Sequence, residues 1–96
     1  MAHKALFDPI TIGPVEIKNR LVLAPTNTNY SDCHLAGDQT LAWYTARARG
    51  GLGLIIFEAT PVSPEAAETS IYNIHHFWAP EHIPGMRNLI EEVHSP

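Results

Sequence analysis

Two stretches of the chain run apolar without polar alternation: residues 20–24, closed by Pro25, and residues 52–57, ending at Glu58. Such runs suit strands buried on both faces, as in parallel sheets. Between them Leu41, Tyr44, Thr45 and Ala48 recur at i, i+3, i+4 and i+7, which predicts a helix from residue 38 or 39 to residue 49. Asp38 is its expected N-cap, Arg47 and Arg49 favour the helix dipole in the last turn, and Gly50-Gly51 supplies the stop. A second helix is expected from Pro80, with Pro84 still inside its first turn and Ile83, Met86, Ile90 and Val93 on its buried face. Ahead of the first strand, Ile10-Thr11-Ile12 and Val15-Glu16-Ile17 flank Gly13-Pro14 and predict a small hairpin. Residues 26–37 and 60–79 are polar or proline-broken and are expected to be loops. The order hairpin, strand, helix, strand, helix contains one βαβ unit, with parallel strands and a right-handed crossover. A two-stranded parallel sheet leaves open edges, so the pattern predicts an α/β class and the front of a larger fold.

Composition narrows the partners. Six Lys and Arg against ten Asp and Glu give a net charge of −4, with no basic stripe to neutralise phosphates, so nucleic acid is not an expected partner. A hydrophobic share of 45% and a charged share of 17% describe a chain that folds. The longest strongly apolar stretch, residues 52–57, includes Gly53 and is too short for a bilayer, and the first residues lack the apolar core of a signal peptide. No membrane partner is expected. The single cysteine, Cys33, excludes an intramolecular disulfide and fits a reducing compartment, hence a cytoplasmic protein.

In parallel α/β folds ligands bind beyond the carboxyl ends of the strands. Those ends are Ala24-Pro25-Thr26-Asn27 and Phe57-Glu58-Ala59-Thr60. A carboxamide can donate and accept at once, and a small residue lets backbone approach a flat ring, so the ends favour an aromatic cofactor over a metal or a bare phosphate. His75 and His76, with His82, His34 and Cys33 as possible additions, show no ligand spacing; adjacent residues of an extended segment point to opposite sides, and solvated loop histidines are expected instead of a metal site. Arg20 is expected in a structural ion pair, Glu58 in a hydrogen bond, Cys33 as an unreactive loop thiol, and Trp43 and Trp78 in packing.

Several motifs in order carry a likeness. Leu6-Phe7-x-Pro9, Ile10-x-Ile12-Gly13 and Ile17-Lys18-Asn19-Arg20-Leu21-Val22-Leu23-Ala24-Pro25 resemble the opening of the old yellow enzyme family, the NADH:flavin oxidoreductase group of flavin-dependent ene-reductases. Tyr44-x-x-Arg47-Ala48-x-x-Gly51-x-Gly53-Leu54-Ile55-Ile56-x-Glu58-Ala59 is similar to the family's first helix and second barrel strand. Trp78-x-x-Glu81-His82-Ile83, closing in Val93-His94, is similar to the helix that follows.

The resemblance implies the N-terminal portion of a (β/α)8 TIM barrel with non-covalent FMN at its C-terminal face. Residues 1–19 would be a capping hairpin and residues 20–96 the first two βα units of one FMN-binding domain. Ala24, Pro25 and Thr26 would form a backbone ledge against the flavin, Asn27 would stand near its O4 and N5 edge where relatives often carry Thr or Cys, and Ala59 would contact its pyrimidine side through the backbone. Tyr30 would wall the substrate side, offset by one residue from a tyrosine some relatives carry. The implied reaction takes hydride from NAD(P)H by way of FMN to a small enone or enoate. Asn27-Thr28 is also similar to the branch of 2,4-dienoyl-CoA and bile-acid enoate reductases, many of whose longer members add an iron–sulfur cluster; no region of this sequence matches one.

A (β/α)8 barrel takes roughly 250 residues. Ninety-six hold two of its strands, and the expectation is a chain that alone is inactive. The proton donor falls outside these motifs, and the residues leave the oligomeric state open. Two other readings stand beside the enzyme: an incomplete barrel piece acting as a structural or interaction module, and another (β/α)8 enzyme sharing only this βαβ beginning.

Overall fold

Gly13, at φ +58°, makes the first tight turn, and the ring of Pro14 stiffens it. The strands it joins, β1 (Ile10–Ile12) and β2 (Val15–Ile17), pair antiparallel with Ile10 opposite Ile17 and Ile12 opposite Val15. The computed structural model describes residues 4–68 and 73–95. A four-residue helix, α1 (Lys4–Phe7), precedes the hairpin and is tied to the next segment by Arg20 N–H donating to the Leu6 carbonyl at 2.9 Å.

The βαβ unit forms as the pattern predicts. β3 (Val22–Leu23) and β4 (Leu54–Ile55) pair in parallel, Val22 opposite Leu54 and Leu23 opposite Ile55, with α2 (Asp38–Arg49) as the crossover. The strands are shorter than the apolar runs, although the ladder extends through Gly53 N–H to the Leu21 carbonyl and Ile56 N–H to the Leu23 carbonyl. They are not buried on both faces: Val22 is 48% and Ile56 45% exposed. A lone pair of strands has two open edges, and Leu23, Leu54 and Ile55 are only half-buried.

The cap of α2 also departs from expectation. Gly37, in extended conformation, is the N-cap residue and no side chain caps the helix; Asp38 is the first helical residue, where its carboxylate still suits the dipole. Gly51, at φ +105°, takes the left-handed conformation after the helix. Within the predicted loop of residues 60–79 lies a short helix, α3 (Pro64–Glu68), with Pro64 at its first position and Ser63 Oγ accepting from Ala66 N–H at 3.2 Å.

A 3-10 turn (Pro80–His82) leads into α4 (Ile83–His94), which packs on α2. Its buried stripe is rotated from the predicted one. Leu89 is 4% exposed, whereas Ile83 and Ile90 are 41% and 49% exposed. Gly85 decides the rotation: a Cβ there would stand 2.6 Å from the Ala36 carbonyl oxygen, so α4 presses its glycine against the loop before α2. Leu89, one turn on, follows it inward.

Tyr44, Ile74 and Leu89 are the buried hydrophobic side chains among the described residues. The radius of gyration is 15.1 Å, against about 12.5 Å for a compact domain of this length. Apolar surface is thus left open on the sheet, the hairpin and the turn before α4.

Candidate functional site

Because β3 and β4 run parallel, their carboxyl ends emerge side by side. The chain after β3 passes through Ala24, Pro25, Thr26 and Asn27, all exposed, as is Ala59 beyond β4. Asn27 Oδ1 accepts the Ala59 N–H at 3.3 Å, which joins the two ends. That N–H fixes which way the amide faces, since only the oxygen can accept it. The Asn27 NH2 makes no hydrogen bond to another described residue and is presented outward. Ala59 is left with its carbonyl and its small side chain on the ledge. Thr26 Oγ1 donates to the Ala24 carbonyl at 3.3 Å, stiffening the turn.

Behind this ledge lies a polar cluster of which sequence reasoning found only that Glu58 is hydrogen-bonded. Glu58 accepts from Thr28 N–H (2.6 Å to Oε2) and from the Thr28 hydroxyl (3.0 Å to Oε1). His75 Nδ1 stands 2.9 Å from the same Oε1, off the line of a well-directed hydrogen bond, and both side chains are 1% exposed. On its other side His75 Nε2 is 2.7 Å from Thr40 Oγ1 on α2. The expectation of solvated histidines is therefore overturned for His75. Burial pushes its pKa below the usual value, partly offset by the Glu58 carboxylate, with His34 pushing the same way as burial. Tyr44, also buried, has its phenol pushed up to about 12 by burial first and by the Glu58 charge second.

His34, His76 and His82 are held in contacts too. His34 and His76 stack at 3.9 Å, and His34 Nδ1 meets the Ile74 carbonyl at 2.8 Å. His82, buried, accepts the backbone N–H of Trp78 and of Ala79 at Nδ1 and so closes the 3-10 turn. Burial lowers the pKa of His76, and the neighbouring His34, His82 and His75 lower it further. Among the described residues no three His, Cys, Asp or Glu side chains are grouped to hold a metal ion.

Tyr30 follows Asn27 by three residues. Its carbonyl accepts from Thr40 Oγ1, and it lines an open hollow of about 370 Å³ with Ser31, Asp32, Gly37, Asp38 and Gln39. Arg20 does not form the expected ion pair with any described residue; its Nη2 makes a long contact of 3.4 Å to the Pro9 carbonyl, just ahead of β1. Trp43 packs under the Arg47 guanidinium at 4.0 Å and edge-on to Tyr44, and Trp78 packs on His82 and donates to His76 Nδ1. Cys33 is exposed.

The profile of the NADH:flavin oxidoreductase / NADH oxidase family matches residues 5–96. The chain belongs to that family. Among its relatives, the NADPH dehydrogenase of Bacillus subtilis is 42% identical over 96 residues, covering 97% of this chain and 27% of the relative. A metal reductase of Desulforamulus reducens is 30% identical over 90 residues, covering 94% of this chain and 13% of the relative. The old yellow enzyme of a Pichia species superimposes with a TM-score of 0.86 at 33% identity, over 99% of this chain and 24% of that structure. Morphinone reductase superimposes with a TM-score of 0.85 at 30% identity, over 95% of this chain and 23% of that structure.

The chain thus spans about a quarter of the length of the NADPH dehydrogenase and of the two solved enzymes. These solved neighbours are TIM-barrel enzymes. The α/β class holds, and the small hairpin and two-stranded parallel sheet fit as part of such a barrel. No helix among the described residues is long and apolar enough to cross a membrane.

Proposed function

We propose that this chain supplies the capping hairpin (residues 1–19) and first two βα units (residues 20–96) of an FMN-dependent oxidoreductase. Its electron donor is NAD(P)H, and its substrate a small activated alkene, an enone or enoate. The observation that carries the reading is the Asn27–Ala59 contact, which makes one exposed polar ledge from two parallel strand ends. The ledge fits an isoalloxazine edge: it is uncharged, and it offers an amide donor that has no partner among the described residues where the ring presents acceptors. FMN, when bound, supplies the hydride chemistry.

The protein's residues hold and orient. Ala24, Pro25 and Thr26 form the backbone ledge; Asn27 donates through Nδ2; Ala59, lacking bulk, permits close approach and offers its carbonyl. Tyr30 bounds the substrate side. The name NADPH dehydrogenase on the Bacillus relative supports NADPH as the donor.

The test is the full gene product, purified and examined for flavin absorption. Yellow protein is the expected result, and a preparation that takes up no added FMN sinks the proposal. Asn27→Ala is expected to slow flavin reduction and lower the midpoint potential, since a donor to the ring favours its charged reduced form. Unchanged reduction kinetics and potential remove that role from Asn27.

One observation favours a second reading, a non-catalytic interaction module. Val62 (74% exposed), Phe77 and Trp78 line an apolar hollow of about 400 Å³ with Ala79, Pro80 and Ile83. Colourless, self-associating protein is the outcome that selects this reading.

A further inference from the structure

We propose that Glu58 is a positioning residue that sets the polarity of the Asn27 amide, acting through Thr28; the role toward the cofactor rests on the flavin reading above. Glu58 directly precedes Ala59 on the end of β4, and Thr28 directly follows Asn27 after β3. Two cross-links therefore lie next to each other. The outer one, Ala59 N–H to Asn27 Oδ1, is long at 3.3 Å and exposed. The inner one is short, doubled and shielded: Thr28 N–H at 2.6 Å and Thr28 hydroxyl at 3.0 Å, both to one buried carboxylate. A hydrogen bond to a charged acceptor away from water is the stronger of the two kinds. The inner link fixes the spacing at which the outer can close.

The polarity of the whole arrangement follows from Glu58. A carboxylate only accepts, and it is met by two donors from Thr28 and by the His75 ring. Thr40 Oγ1 donates to the Tyr30 carbonyl at 3.2 Å and lies 2.7 Å from His75 Nε2, which ties α2 to the same cluster. The ring of contacts returns through Tyr30 N–H, which donates to Thr28 Oγ1 at 3.2 Å. With the two strand ends held in this register, Ala59 N–H points at Asn27 and demands an oxygen. A half-turn of the amide would set NH2 against N–H. The site consequently presents a donor outward, and a loosened register would let the amide turn and present an acceptor.

The test uses the isotope-labelled full gene product in two states. Without flavin, Glu58→Gln is expected to speed hydrogen exchange of the Thr28 amide about tenfold, while the Ile56 amide, bonded in the strand ladder, keeps its rate. Thr28→Val does the same to a lesser degree, and Thr28→Ser restores the original rate. In the FMN-loaded protein, Glu58→Gln and Thr28→Val shift the flavin midpoint potential in the direction of Asn27→Ala, and the Glu58→Gln/Asn27→Ala double variant shifts it no further than Asn27→Ala alone.

Equal exchange at Thr28 and Ala59 in the parent protein and Glu58→Gln overturns the inference. Faster exchange with an unmoved potential also overturns it, leaving Glu58 a structural role only. A parent protein that takes up no FMN overturns the flavin reading and with it the cofactor-facing role, whereas exchange still measures the clasp. If Glu58→Gln does not fold, the Thr28→Val and Thr28→Ser pair decides by the same readouts.

Discussion

The β3–β4 pair is clasped at both ends by a polar side chain, and the two clasps differ in kind. At the amino end Asn19, 8% exposed, donates to the Gly51 carbonyl at 2.7 Å and accepts from Leu21 N–H at 3.0 Å. The partners are backbone groups, and the fit depends on a missing side chain: a Cβ on Gly53 would stand 2.5 Å from Asn19 Oδ1 and 2.6 Å from the Asn19 carbonyl. At the carboxyl end the clasp is ionic and built from side chains, with Glu58, Thr28, His75 and Thr40 drawn from four segments. The neutral clasp holds strands; the charged one holds strands and leaves the Asn27 NH2 without a partner among the described residues. This division matches the general separation of stability and chemistry between the two faces of a parallel barrel.

The comparison breaks most readily at Gly53. Gly53→Ala forces a methyl group against backbone that cannot rotate away, with an expected loss of about 3 kcal/mol in urea unfolding of the full gene product. Asn19→Ala removes both of its hydrogen bonds at the same end and is expected to lose about 2 kcal/mol in the same assay. If either change costs no more than an average surface substitution, the amino-end clasp is not what holds the strands.

The carboxyl-end clasp should reveal itself through pH. His75 and His76 both have folded pKa values below the ordinary 6.5, burial being the first cause in each. The unfolded chain therefore takes up protons before the folded one. Stability from these two sites is complete above pH 6.5 and is lost as pH falls from there toward their folded values. The urea midpoint should drop over that window, and His75→Gln should flatten the slope. A midpoint that rises on acidification contradicts a neutral buried His75.

The smallest expected effect on folding is at Asn27. Asn27→Ala should change stability by less than about 0.5 kcal/mol, because its hydrogen bond is long and exposed. Its consequences belong to the cofactor measurements, and a large loss of stability would move Asn27 into the clasp itself.

How much of this was legible in the sequence follows the separation of the partners. The hairpin was readable because Gly13-Pro14 and its flanking β-branched residues lie within a few positions. So was α2, whose period and Gly50-Gly51 stop are local. The motifs from Leu6 to His94 led to the correct family. The α4 face was misread because Ile83, Met86, Ile90 and Val93 form a plausible stripe, while what turns the helix is Gly85 meeting Ala36. His75 was read as solvated because nothing adjacent in sequence discloses that Thr40 and Glu58 converge on it. Glu58 itself carried a signal, a lone carboxylate closing an apolar run, but its partners could not be named without the fold.

The sequence by itself determined the order of the hairpin, the two parallel strands and the two long helices, and the family, because each rests on local period, turn chemistry or motifs in linear order; the short helices α1 and α3 it did not disclose. The tertiary structure alone decided which face of α4 is buried, that His75 is a neutral buried partner of Glu58, and which way the Asn27 amide points. Those outcomes depend on groups dozens of residues apart brought within about 3 Å, where burial and the donor–acceptor pairing of the whole cluster choose among arrangements that the chain, read in order, leaves equal.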